Sequence, residues 1–233
     1  MKMNSKLRGG FTLVELLVVI VIIAALAGLA SPAILRSRKK ADQTEAVSNA
    51  RQIGISLMDF DTEYGSFPDT VTAAAVAAAT ETTVVSGASA NDRFRQLIRA
   101  GIVESEAIFY AKTAFTRKPD GIINGEEALK GGEVGFSFFV KADGGGLSSA
   151  GNSGRPILVT PSKESLLATG DFDPDPFDSK AVILKLDNSV TSVNIIKASG
   201  RILLSGKAPL ATGEDTVWGT GITPAFAHPT KRQ

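Results

Sequence analysis

From residue 11 to residue 30 every side chain is apolar or small except Thr12 and Glu15. About 20 such residues are what an α-helix needs to cross a bilayer. An acid within such a segment is costly: insertion scales place Asp, Lys or Arg at the centre of a membrane helix at roughly 2.5–3.5 kcal/mol. Glu15 is therefore expected to have a partner. Beyond Pro32 the pattern changes. Ala46, Ala50, Ile53, Leu57, Phe60 and Tyr64 recur at steps of four and three, which puts them on one helical face, while Asp42, Glu45, Arg51, Gln52 and Asp59 fall mostly off it. The pattern predicts one long helix, a membrane-spanning part over 11–30 and an amphipathic continuation over 31–66 packed on a sheet. Pro32 is expected to kink or loosen it, since proline removes a backbone donor and crowds the preceding turn. A plain boundary between an anchor and a separate helix is the other reading of Pro32. Gly65 and Pro68, in Tyr64-Gly65-Ser66-Phe67-Pro68, end the helix.

The remainder, 67–205, reads as one globular domain. Thr72 to Thr80 predicts a short alanine-rich helix, and Asn91 or Asp92 a cap for a second helix through Arg93–Arg99, ended by Gly101. Val134, Phe136, Phe138 and Val140 alternate, Pro156 to Val159 is a short apolar run, and Ala181–Leu186, Asp187-Asn188 and Val190–Ile196 read as a β-hairpin. Ile202 to Leu204 offers another strand. An antiparallel sheet of three or four strands packed on the long helix places the fold in the α+β class. Gly144 to Gly154 reads as a mobile Gly- and Ser-rich loop. From residue 206 the pattern is lost, and 206–233 is read as a tail.

The apolar run is preceded by Arg8-Gly9-Gly10-Phe11-Thr12-Leu13-Val14-Glu15 and a short basic leader, 1–10. This junction resembles the signature of the type IV pilin superfamily, which includes pilins and the pseudopilins of type II secretion. The Tyr64-Gly65-Ser66-Phe67-Pro68 segment is similar to the one that follows the long helix in pseudopilins. The resemblance implies that a prepilin peptidase cuts on the cytoplasmic side between Gly10 and Phe11 and methylates the new amino terminus. It implies that Glu15 pairs with the Phe11 amine of a neighbouring subunit, and that Pro32 marks a segment that loosens during filament assembly. Charge logic agrees with the pairing, because an isolated carboxylate and an isolated ammonium in low dielectric are each costly and relieve one another. An interfacial Glu15 reaching the headgroups explains neither the Gly-Phe junction nor the leader. A cleaved secretory signal fits poorly, since the run exceeds the usual 7–15-residue core and Ala25-Leu26-Ala27 lies inside it.

Composition sharpens this picture only in part. The 25 basic side chains fall to 22 against 24 acidic ones when Lys2, Lys6 and Arg8 leave with the leader, which argues against nucleic acid as the main partner. There is no cysteine, hence no thiol chemistry and no C-terminal disulfide of the kind many type IV pilins carry, which favours the pseudopilin side. Arg36, Arg38, Lys39 and Lys40 nearly balance the leader, so charge alone does not orient the span. The leader is placed in the cytoplasm by the resemblance, which makes this a single-pass inner-membrane protein with its domain on the extracytoplasmic side.

Asp171, Asp173, Asp175 and Asp178 crowd one loop, and some major pseudopilins bind calcium in a C-terminal loop. Here Pro174 and Pro176 intervene and the EF-hand glycine and final glutamate are missing, so the loop reads as a solvated acidic turn and no metal site is assigned. His228 lies in a Pro-flanked tail and reads as solvent-exposed rather than as a base, and Gly219-Thr220-Gly221 is too short for a nucleotide loop. No cofactor and no enzyme activity are implied. The reading is a pseudopilin-like filament subunit of a type II secretion system, with other pilin-like subunits, a prepilin peptidase, an assembly ATPase and an inner-membrane platform as partners. A type IV pilus subunit for adhesion, motility or DNA uptake shares the N-terminal argument. A signal-anchored periplasmic enzyme or binding module shares only the span.

Overall fold

A computed structural model describes residues 12–83, 87–163 and 171–231. Helix α1 (Leu13–Tyr64) takes in both the apolar run and the amphipathic stripe, with Pro32 inside it. Lacking an N–H, Pro32 leaves one rung of the helix ladder unmade. The chain divides into two units, Met1–Arg38 and Lys39–Gln233. In the first, every described residue is exposed. Its large apolar side chains range from 45% exposed at Val19 to 87% at Leu13.

In the second unit the stripe is buried at Ala46, Ala50, Ile53, Gly54, Leu57 and Phe60. Tyr64 stacks on Phe60 with ring centroids 4.6 Å apart. Gly65 then turns the chain at φ +83°, a conformation glycine adopts without a Cβ penalty. The next helices, α2 (Thr70–Thr80) and α3 (Ala90–Arg99), both open on capping boxes. Ser89, rather than Asn91 or Asp92, is the N-cap of α3. Asp92 is the answering acid three residues on, which the reciprocal box requires. Asn91 is buried instead, donating its amide to the Leu129 and Lys130 carbonyls and accepting the Thr230 N–H.

A five-stranded antiparallel sheet completes the α+β fold: β1 (Ser137–Lys141), β2 (Pro156–Thr160), β3 (Lys180–Lys185), β4 (Val190–Asn194) and β5 (Pro224–Ala227), in the order β4-β3-β2-β1-β5. The β3–β4 hairpin turns at Asp187-Asn188, with Asn188 at φ +59°. That tip meets α1 at Gly54, where an added Cβ would overlap Asn188 Oδ1. The hairpin can thus approach the helix closely only because residue 54 has no side chain. Central β2 is buried throughout. Successive strand residues point to opposite faces. Phe138 meets Phe94 of α3 on one face at 5.7 Å, and Phe139 meets Trp218 on the other at 5.7 Å.

The sheet has one strand more than the alternation marks. β5 comes from the stretch where the pattern is lost, and pairs with β1 from Phe138↔Ala227 to Lys141↔Pro224. Four residues, two of them alanine, carry too little side-chain signal to mark a strand. The 202–204 stretch forms no strand; Ile196 bridges Arg201 and Leu204 bridges Lys207 in tight turns. The Gly-rich loop is held by specific contacts, with Phe67 N–H donating to the Leu147 carbonyl at 2.7 Å and Leu147 itself buried.

Candidate functional site

The first turn of α1 carries the candidate assembly residue. Thr12 and Glu15 close a reciprocal box: Glu15 Oε2 accepts from the Thr12 N–H at 2.8 Å and from its hydroxyl at 2.7 Å, and Thr12 Oγ1 accepts the Glu15 N–H at 3.2 Å. The box satisfies otherwise orphaned donors at the helix start and places a carboxylate at the positive end of the helix dipole. Both bonds to the acid land on Oε2, so Oε1 takes part in neither. Thr12 was the residue overlooked in the sequence, although Thr-x-x-Glu ahead of an apolar run is the recognisable form of the box. Gly10 and Phe11, the expected cleavage pair, lie outside the described residues.

C-terminal to this turn, the segment from Leu13 to Leu35 contains no charged residue besides Glu15 and is long and apolar enough to cross a membrane. Pro32 sits near its end, with the Ser31 hydroxyl donating back to the Ala27 carbonyl at 2.7 Å. Such back-bonding competes with the ladder at the rung next to the one that proline removes.

The acidic loop does not gather its carboxylates. Asp175 pairs with Lys39 at 2.7 Å, and Asp173 accepts the Asp175 N–H at 3.0 Å. Among the described residues the acids that do converge are Glu106, Asp120 and Glu133, whose oxygens lie within 4.8 Å of one another. Protein donors hold them. Glu106 accepts the Leu129 and Gly121 N–H groups, and Asp120 the Ile122 N–H. Glu133 accepts the Lys130 N–H and the Arg117 guanidinium. Burial, reinforced by the neighbouring Glu133 and Asp120 carboxylates, raises the Glu106 pKa against the pull of its backbone donors. Asp69 shows the opposite balance. Burial pushes its carboxyl up, but the N–H groups of Thr72, Gly146 and Val71 and the Thr72 hydroxyl outweigh that and hold it below the usual carboxylate range.

His228 is half-buried rather than solvent-exposed. Its ring lies 5.6 Å from that of Phe226, and its Nδ1 is 3.4 Å from the Ser137 hydroxyl. Ser137 in turn donates to Ser162 at 2.8 Å and is fully buried, so no substrate reaches that hydroxyl. The arrangement ties the end of β5 to β1. Trp218 is buried as well, donating to the Pro209 carbonyl at 2.7 Å.

Comparison with known proteins adds two findings. Residues 5–31 match the family described as "Prokaryotic N-terminal methylation motif". Over 68 residues the chain is 37% identical to the type II secretion system core protein G of Aeromonas hydrophila, a match covering 29% of this chain and 48% of that protein. The chain thus spans about half the length of the curated relative it matches. No solved structure matches it.

Proposed function

We propose that this chain, a type IV pilin-like protein by its N-terminal methylation motif and long apolar helix, is a pseudopilin-like filament subunit of a type II secretion system. The observation that carries this reading is the solvent exposure of an entire apolar helical segment directly behind the motif, in a chain whose other unit buries its own core. Such a segment requires an apolar environment that the chain itself does not provide. Lipid supplies it in a stored subunit, and a bundle of like helices supplies it in a filament. Passage from one to the other keeps most of the apolar area out of water, so extraction is not opposed by the hydrophobic effect at full strength.

In this reading a prepilin peptidase cuts between Gly10 and Phe11, and an assembly ATPase and inner-membrane platform drive incorporation. Glu15 receives the Phe11 amine of a neighbouring subunit through Oε1, while Thr12 retains Oε2. Pro32, with a rung already missing, is where the helix loosens on assembly. The domain lies on the extracytoplasmic side and has a structural role. The resemblance of the matched relative favours secretion over a surface pilus.

The test is the N-terminal peptide mass from native membranes, with and without the prepilin peptidase. The expected result is a peptide starting at methylated Phe11 that disappears in the peptidase-deficient strain; an intact Met1 start in both strains defeats the reading. Glu15→Ala is expected to leave membrane insertion intact while blocking filament incorporation. Normal incorporation of that variant removes the pairing role.

A further inference from the structure

The apolar segment ends in four cations within five residues: Arg36, Arg38, Lys39 and Lys40. From Leu13 to Leu35 the helix rises about 34 Å at 1.5 Å per residue, slightly more than the roughly 30 Å of a hydrocarbon core. If the segment spans, these cations stand in the headgroup layer on the domain's side. Lys39 is engaged by Asp175 at 2.7 Å. Asp42, the next acid along the helix, is taken by Lys112 at 3.4 Å. Arg36, Arg38 and Lys40 are exposed, and among the described residues they make no ion pair.

Their directions around the helix are informative. At about 100° per residue, with Arg36 at zero, Lys40 lies near 40°, Arg38 near 200° and Lys39 near 300°. Cations that serve a protein partner cluster on one face. Of the three outside an ion pair, Arg36 and Lys40 share one side and Arg38 takes the opposite one, as suits mobile anions around the helix more than a single protein face. Arginine adds a planar fork that matches phosphate oxygens two at a time.

We propose that Arg36, Arg38 and Lys40 form a collar that binds the phosphates of anionic phospholipid headgroups and fixes the depth of the stored subunit. The proposal rests on the membrane-spanning part of the function proposed above. Removal of Lys2, Lys6 and Arg8 with the leader would leave this collar as the main electrostatic attachment to lipid.

The full-length chain is reconstituted in phosphatidylcholine vesicles containing trace spin-labelled phosphatidylglycerol or spin-labelled phosphatidylcholine, and the relative association of the two labels is read by electron paramagnetic resonance. The expected preference for the anionic label is at least about threefold, below the roughly fivefold per cation that full surface attraction would give. It should fall in Arg36→Gln/Arg38→Gln/Lys40→Gln to the share left by the leader cations Lys2, Lys6 and Arg8, fall to unity in about 1 M salt, and persist in Arg36→Lys/Arg38→Lys; an unchanged preference in the triple variant overturns the collar. Inorganic phosphate at constant ionic strength is expected to leave the preference unchanged; displacement of the lipid by phosphate would reassign the site to the free anion. A preference of unity in wild-type chain that resists alkaline extraction overturns the collar alone. A chain stripped from the vesicles by alkali overturns the membrane reading and the collar together. Carbodiimide cross-links from Lys40 to a second copy in place of lipid preference would also overturn it.

Discussion

The two parts of α1 share one secondary structure and meet opposite environments. Residues 13–38 expose every side chain, most of them Val, Ile and Leu. Residues 39–64 bury one stripe, and around it present Lys40, Glu45, Arg51, Asp59 and Glu63 to water. Helical propensity and backbone hydrogen bonding therefore do not distinguish the parts. The distinction lies in where each finds apolar contact: the second half within its own chain, the first half, in the function proposed above, in lipid or in other subunits. A helix apolar all round is a helix for a non-aqueous surrounding, whereas a striped one carries its own core contact.

The largest expected effect breaks the second half alone. Phe60 is fully buried, and Phe60→Ala should cost the domain about 3–5 kcal/mol, seen as a lower urea midpoint for the full chain in detergent. Val21→Ala, in the exposed half, should leave that midpoint unchanged. The converse is Val21→Arg, which should cost about 2.5–3.5 kcal/mol of insertion and appear as loss from the alkali-resistant membrane fraction, with domain unfolding unaltered. A domain destabilised by Val21→Arg would show that the two halves are not independent.

Next in size is the seat of the hairpin on α1. Gly54→Ala brings a methyl against Asn188 and to 3.1 Å from Leu184 Cδ1, for an expected loss of about 1–3 kcal/mol. Asn188→Gly should restore most of it, because the overlap is with that side chain and φ +59° suits glycine. Failure of the double variant to recover would move the cost of Gly54→Ala elsewhere in the helix.

The smallest effects are two pH dependences of opposite sign. The lowered Asp69 pKa means that its contribution is complete above the unfolded-state pKa and is lost as pH falls through the folded one. Asp69→Asn should therefore remove part of the acid sensitivity of unfolding. The raised Glu106 pKa makes its contribution complete below the unfolded-state pKa and lost as pH rises through the folded value. Glu106→Gln should remove that opposing slope. Denaturant midpoints across the acid range check both, and equal slopes in the variants and the parent would contradict the assignments.

Much of the architecture was legible because its signals are local. Steps of three and four from Ala46 to Tyr64 mark a buried stripe, Gly65 and Pro68 mark its end, and Asp187-Asn188 between β-branched runs marks the hairpin. In the assembly turn the acid stood out by its charge in an apolar run, while its Thr12 partner, three residues away, is identified by the hydrogen bonds. What only the tertiary structure decided depends on residues far apart in the chain, which no periodicity records. β5 is four weak residues that become a strand because β1 has an open edge, and Phe139 is covered because Phe226 of β5 and the stretch containing Trp218 return to it. Glu106 is held beside Glu133 by backbone donors from a distant loop, and His228 is brought to Ser137 across 91 positions. The sequence by itself determined the helix, its change of character and the acid near its start, since those follow from spacing and side-chain type. The tertiary structure decided which edges close, which acids meet and which glycine must stay bare, since those follow from packing between segments.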